Sequence, residues 1–250
     1  MADAYRESFG TLCAGTVARL LADTPGSSHL DVGSGTGALA AGAAAIGRTV
    51  VAVDADPEMV ALSSATVPGS VVQGSLPCLP FADGTFDAVT ANFVINHVSD
   101  PGAAMGELAR VVRPGGRVAA TIWPAEAAAW ASLVAGAFDA AGVVPGASSR
   151  LAAELDFERS VDGLRTLARA AGLEAITATE LTWDWEIGVD ALWAGIAGGV
   201  TTAGQTLLAQ TPEVRTAAGR EFREAATAIT CSGTLRLPST AAYVVGRVLP

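Results

Sequence analysis

The sequence predicts an α/β fold: a doubly wound, mostly parallel seven-stranded sheet with a helical cap inserted in its C-terminal half. Three observations predict it. Short apolar runs alternate with helix-forming segments through residue 122, as in a sheet built from strand-helix-strand units. The run TVVAVD (49–54) is apolar and β-branched almost throughout, as befits a strand covered on both faces. Half of the 250 residues are apolar, enough to bury a sizeable core.

The elements follow in order. TLCAGTVARLLA (11–22) spaces Leu12, Val17, Leu20 and Leu21 as one face of a helix. HLDV is a short strand, and ALAAGAAAIG after it is a helix that stops at Gly47. After the strand TVVAVD, the segment ADPEMVALSSA starts a helix with Asp56 as N-cap and Pro57 in the first turn. SVVQG and FDAVTANFV are the third and fourth strands; DPGAAMGELARVV is a helix with the same acid-proline start. RPGG turns the chain into RVAATIW, the fifth strand.

Beyond Trp123 the alternation is lost. Residues 124–160 read as helices and loop, 160–172 as a helix, LEAITATELTWDWEI as a long strand, 190–230 as helical, and AAYVVGRVL as the last strand. With no internal repeat and no low-complexity linker, the expectation is a single domain over 1–250. Within it, 1–24 is an N-terminal helical lid, 28–122 a ligand-binding core, and 123–160 and 188–235 are cap segments.

Composition excludes several classes. Twenty-five acidic against fifteen basic residues give a formal charge of −10, which repels phosphate backbones and anionic lipid, so neither nucleic acid nor a membrane is an expected partner. Every basic residue is arginine, which removes Schiff-base chemistry through lysine. Cys13, Cys78 and Cys231 are odd in number and outside metal-ligand spacing, so neither a disulfide framework nor a metal site is expected. The start MADAYRESFG has no apolar segment behind a basic one. A soluble, cytoplasmic monomer or homodimer is the expectation.

The stretch HLDVGSGTG (29–37) carries the chemistry. Glycines after a buried strand allow backbone angles closed to side chains and let a ligand approach the main chain. The loop also offers free amides at the start of a helix, suited to a carboxylate or phosphate. Asp54 ends the second strand 21 residues after Gly33, where a carboxylate can accept hydrogen bonds from both hydroxyls of a ribose. Two ligands satisfy this arrangement. A dinucleotide needs G-x-G-x-x-G, but here the third glycine, Gly37, comes one position early. S-adenosylmethionine has a cationic amine that Asp31 could pair with, whereas a pyrophosphate would be repelled by that acid.

LDVGSGTG, VAVDADPEMV, LPFADGTFDAV and LARVVRPGGRV, in this order over residues 28–122, resemble the successive motifs of class I S-adenosylmethionine-dependent methyltransferases, in the branch acting on small molecules and quinones. The resemblance implies a Rossmann-like methyltransferase fold. It also implies that Asp31, Gly33, Ser34, Gly35 and Gly37 hold the methionine end of the cofactor and Asp54 the ribose. Ala55 and Met59 would line the adenosine, and Leu79, Pro80 and Phe81 would support the pocket wall. Gly74 precedes Ser75, where the family often has an acid for the adenine amino group; a hydroxyl there makes only an uncharged bond, and the amide of Leu76 can still meet the ring. Asn92 and Phe93 would border the methionine moiety.

Methyl transfer to a small, apolar acceptor, leaving S-adenosylhomocysteine, needs the acceptor held in line and water excluded. It needs a base only where the acceptor must lose a proton. His97, just past the fourth strand, titrates in the right range for that role; main-chain capping is the other reading of its ring. His29 is read as a surface or packing residue. Trp123 and Trp130 are candidates for an aromatic wall against the acceptor, and Tyr5 and Phe9 for a lid. Two alternatives stay open: a protein that binds the cofactor but acts as a cyclase or a non-catalytic binding module, and an NAD-dependent oxidoreductase.

Overall fold

The computed structural model describes residues 2–146, 151–230 and 232–249. Cys231 lies outside them; Cys13 is half-buried and Cys78 exposed. The N-terminal helices are α1 (Ala2–Glu7), α2 (Phe9–Ala14) and α3 (Val17–Asp23). Strand β1 (Ser28–Val32) leads through the glycine loop to α4 (Ala38–Ala45), then β2 (Thr49–Asp54), α5 (Pro57–Ser64), β3 (Ser70–Gln73) and β4 (Phe86–Asn92). A single 3₁₀ turn over Ile95–His97 precedes α6 (Pro101–Val111) and β5 (Val112–Ile122). The remainder comprises α7 (Ala129–Ala140), α8 (Val161–Ala170), β6 (Leu173–Gly188), α9 (Val189–Ala197), α10 (Thr201–Leu208), α11 (Pro212–Ile229) and β7 (Thr234–Val248).

The seven strands form one sheet in the order β3-β2-β1-β4-β5-β7-β6. β1, β2, β3, β4 and β5 pair in parallel, and β7 runs antiparallel to β5. The order reverses at β1, and the loops that follow the C-terminal tips there are where such sheets bind ligands.

The chain divides into two compact units. One comprises residues 1–12, 126–149 and 182–239; in it the Phe9 ring meets Trp130 edge-on at 4.8 Å, and Trp193 stacks on Phe222 at 5.2 Å. The other comprises residues 13–125, 150–181 and 240–250 and holds the glycine loop. Its sheet is buried on both faces. Leu30, Val32, Val53, Val89 and Ala91 pack with Met105 and Leu108 of α6 and Leu164 of α8, while Val50, Ala52 and Ala119 pack with Leu20 and Leu21 of α3 and Leu39, Ala40 and Ala43 of α4.

Strand alternation then turns the intervening residues His29, Asp31, Thr90 and Thr121 to the α3–α4 face, where all four are buried. A polar row therefore runs inside an otherwise apolar layer, and its groups must find partners in the protein.

Two elements differ from expectation. The helix read over 11–22 is two helices, broken at Gly15 and Thr16, where the Thr16 hydroxyl lies 2.8 Å from Asn92 Oδ1 and 3.0 Å from the Cys13 carbonyl. The RPGG segment lies inside β5: Phe86 pairs with Val112 and Ala88 already with Arg117, so residues 113–116 bulge out of the ladder, with Gly115 at φ +80°.

Candidate functional site

The glycine loop leaves β1 with φ of +67° at Gly33, +54° at Gly35 and +88° at Gly37. At Gly33 a side chain is excluded twice, since a Cβ would also sit 2.4 Å from Val94 Cγ2. The Ser34 amide donates to the Val53 carbonyl (2.9 Å), which fixes the loop beside the end of β2. From there Asp54 reaches back: its Oδ2 accepts from the Gly35 amide (2.8 Å) and its Oδ1 from the Asp56 amide (3.0 Å). Each oxygen keeps a lone pair, so this half-buried carboxylate can still accept from a diol. Asp56 caps α5 through the Glu58 amide, as its acid-proline start predicts, and this leaves Ala55 exposed and Met59 half-buried beside Asp54.

Ser34 Oγ is buried and has no hydrogen-bond partner among the described residues. A buried hydroxyl in that condition is costly unless something else meets it. It lies in the loop whose bare backbone and positive φ angles are suited to a close ligand, so the residues fit the amino-acid end of S-adenosylmethionine.

Asp31 is 1% exposed, and each of its oxygens accepts once from its own chain: Oδ2 from the Ala40 amide in the first turn of α4 (3.1 Å), and Oδ1 from the Thr90 hydroxyl (3.1 Å). Burial pushes its carboxyl up to about 7, the two hydrogen bonds oppose this, and neighbouring Asp54 adds to the rise.

Farther along the same sheet edge, the Gly74 amide donates to the Asp54 carbonyl (3.0 Å), and the Ser75 carbonyl accepts from the Cys78 amide (3.0 Å). Ser75 is exposed and Leu76 half-buried. Leu79 is buried, and Phe81 packs edge-on against Phe86 at 5.1 Å. Arg110 braces this stretch, donating to the Phe81 carbonyl (2.8 Å) and to Glu107.

At the tip of β4, Asn92 spends its amide inside the protein. Its Oδ1 lies 2.8 Å from the Thr16 hydroxyl and 2.6 Å from that of Thr121, and its Nδ2 donates to the Cys13 carbonyl (3.0 Å). Phe93 has φ +59°, a strained value for a residue with a side chain. It is held there by the Thr121 hydroxyl, which accepts from its amide (2.9 Å), and by its ring, which stacks on Trp123 at 3.7 Å and 11°. Asn96 fixes Trp123 by bonding both its amide and its carbonyl. His97 follows on the exposed side of the 3₁₀ turn, and partial desolvation by its surroundings lowers its pKa.

Of the remaining candidates, Phe9 is buried and contacts Trp130 and Trp185, whose indole donates to the Thr11 hydroxyl (2.9 Å); Tyr5 and Trp130 are half-buried. Of the two readings of His29, packing is the one the structure shows: it is fully buried, with Nε2 2.9 Å from Thr90 Oγ1 and Nδ1 2.9 Å from Arg48. Periodicity could not reveal it. A buried run interrupted by polar residues shows its partners only when the adjacent strand is in register, as Asp31 is opposite Thr90. Among the described residues no group of three or more metal-ligating side chains comes together, and no helix is long and apolar enough to cross a membrane.

The glycine loop and Asp54 thus meet at the C-terminal tips of β1 and β2, beside the point where the strand order reverses. Residues 30–120 match the family model of the methyltransferase domain. A demethylmenaquinone methyltransferase of Beutenbergia cavernae is 44% identical over 95 residues, 38% of this chain and 40% of that protein. The chain thus matches about two-fifths of the length of such curated relatives. The fold extends further: the Bacillus subtilis YcgJ protein superposes with a TM-score of 0.57 at 20% identity, covering 96% of this chain and 99% of that one. The [4+2]-cyclase SpnF does so at 0.54 and 20%, covering 96% and 81%.

Proposed function

We propose that this chain is an S-adenosylmethionine-dependent methyltransferase acting on a small, apolar metabolite and releasing S-adenosylhomocysteine. The hydrogen bond from the Gly35 amide to Asp54 carries the proposal, because it brings the glycine loop and the ribose acid to one place. Ser34, Gly35 and Gly37 bind the amino-acid end, Asp31 faces its ammonium, and Asp54 takes the ribose. Ala55, Met59, Gly74, Ser75 and Leu76 line the nucleoside. When bound, the cofactor supplies a methyl group on a sulfonium that is already a good leaving group, so the protein has only to position the acceptor and exclude water. The strained Phe93 and its stacked partner Trp123 supply a rigid apolar wall for that purpose. Where the acceptor must lose a proton, His97 takes it.

The match of residues 30–120 to the methyltransferase domain supports methyl transfer over the oxidoreductase reading. A cyclase of the same fold shows that the fold alone does not choose the reaction. The test is calorimetric titration with S-adenosylhomocysteine, followed by incubation with methyl-labelled cofactor and a panel of quinols, phenols and amines. Binding with label in a product supports the proposal; binding without label across the panel moves it to the cyclase or binding-module reading; no binding overturns it.

A further inference from the structure

Four polar groups inside the β1–β4 layer bond in series, and chemistry gives the series a direction. Arg48, half-buried between α4 and β2, has only donors; its NH2 donates to the Leu21 carbonyl (2.7 Å) and its NH1 lies 2.9 Å from His29 Nδ1. Nδ1 must therefore be the bare, accepting nitrogen, which places the ring's single proton on Nε2. Nε2 lies 2.9 Å from Thr90 Oγ1, so that oxygen accepts, and its own hydrogen is left for Asp31 Oδ1 at 3.1 Å; the alternative, the Leu30 carbonyl, is at 3.5 Å. His29, Thr90 and Asp31 are each no more than 1% exposed, so water does not compete at these three members.

We infer that Arg48, His29 and Thr90 are positioning residues: they form a one-directional hydrogen-bond chain that presents Asp31 at the end of β1 as an oriented, accepting carboxylate, ready for a cationic ligand group. Because the Thr90 hydroxyl donates to Oδ1 in preference to the more distant Leu30 carbonyl, Oδ1 is favoured as an acceptor and a proton on it is disfavoured. The need for such a device is plain from the surroundings, which push the Asp31 carboxyl up to about 7 through burial and the nearby Asp54. Among the described residues, the titratable or charged groups around it are Asp54 from β2 and, along the chain, His29 of β1 and Arg48; β4 contributes the Thr90 hydroxyl and α4 the Ala40 amide. The ligand half of this inference rests on the cofactor reading above; the protonation half does not.

The test uses the full chain labelled with ¹³C at the aspartate carboxyls, with the Asp31 signal assigned through Asp31→Asn and titrated between about pH 5 and 9. Thr90→Val, which removes the hydroxyl at constant shape, should raise the Asp31 midpoint by about one pH unit, and Thr90→Ser should restore it. Arg48→Met, which frees Nδ1, should raise it as well and serves if the valine variant does not fold. In the unaltered protein, ¹⁵N shifts of His29 should show Nε2 protonated and Nδ1 bare. Midpoints that coincide in all variants, or a proton on Nδ1, overturn the chain. Calorimetry with S-adenosylmethionine over the same range should show the valine variant regaining affinity only at higher pH. If the carboxyl midpoints move as expected and the unaltered protein still binds no cofactor, the functional reading fails and the chain stands.

Discussion

His29 Nδ1 lies 2.9 Å from the guanidinium of Arg48 inside a layer where the imidazole has no exposure to solvent. Burial, and after it the positive charge of Arg48, lowers the ring's pKa from 6.5 to about 3. The unfolded chain therefore takes up a proton that the folded one refuses. The contribution of this ring to stability is present above about pH 6.5 and is lost as pH falls toward 3. Urea unfolding at pH 7 and at pH 5 should show a loss of about 2 kcal/mol attributable to this site. His29→Gln should reduce that loss; an unchanged difference between the two conditions would show that the ring is not held neutral.

Asp31 has the opposite sign. Its carboxyl is raised from 3.8 to about 7, so the folded state favours the proton, and the stability this gives is lost as pH rises through 7. Asp31→Asn should then stabilise the free protein at pH 8, by on the order of 1–3 kcal/mol, and do little at pH 4. The amide can satisfy both neighbours, its oxygen accepting from Ala40 and its nitrogen donating to Thr90, which can turn its hydrogen toward the Leu30 carbonyl. The same substitution should weaken S-adenosylmethionine binding. Thermal melts with and without cofactor read both effects, and a variant that is destabilised at pH 8 would contradict the assignment.

The strands and the loop were legible because burial on two faces leaves a continuous apolar run and because only glycine serves at Gly33 and Gly37. The acid-proline starts at Asp56 and Asp100 located α5 and α6, and both aspartates do cap their helices. What was not legible is the pairing across strands. Thr90, Thr121 and Thr16 carry no signal in the local pattern, yet they bond Asp31, Phe93 and Asn92. Their partners are 59, 28 and 76 residues away in sequence, and nothing local encodes that separation. The partners of His29 were hidden for the same reason, since Arg48 and Thr90 meet it only after β1 is flanked on both sides.

Gly33 offers a separable test of loop strain. Its φ of +67° penalises any side chain, and a Cβ would lie 2.4 Å from Val94 Cγ2. Gly33→Ala should cost about 1–3 kcal/mol or more in unfolding experiments. Gly33→Ala combined with Val94→Ala should recover the steric part and leave the backbone part. Strict additivity of the two substitutions would show that the contact is not what excludes a side chain.

Asp54 joins the loop to the second strand tip, and its two roles can be told apart. Asp54→Asn keeps an acceptor for the Gly35 amide but weakens acceptance from a diol; Asp54→Ala removes both. Calorimetry with S-adenosylhomocysteine should show binding weakened by at least about tenfold in the asparagine variant and further in the alanine variant, with thermal stability little changed in the first. Affinity near that of the unaltered protein in both would remove Asp54 from the ribose site.

His97 stands on the turn that follows Phe93, exposed at the residue level, with its pKa lowered by desolvation. A ring neutral at physiological pH is an available acceptor, so an acceptor hydroxyl losing its proton to His97 should give a rate that rises with pH and levels off below the usual histidine value. His97→Ala should lower kcat on such an acceptor by about 10²-fold and remove that acid limb, while leaving S-adenosylhomocysteine affinity unchanged. On an acceptor that carries no dissociable proton the same variant should turn over at the ordinary rate. An acid limb that survives in the alanine variant would assign the titration to another group and leave His97 as part of the turn.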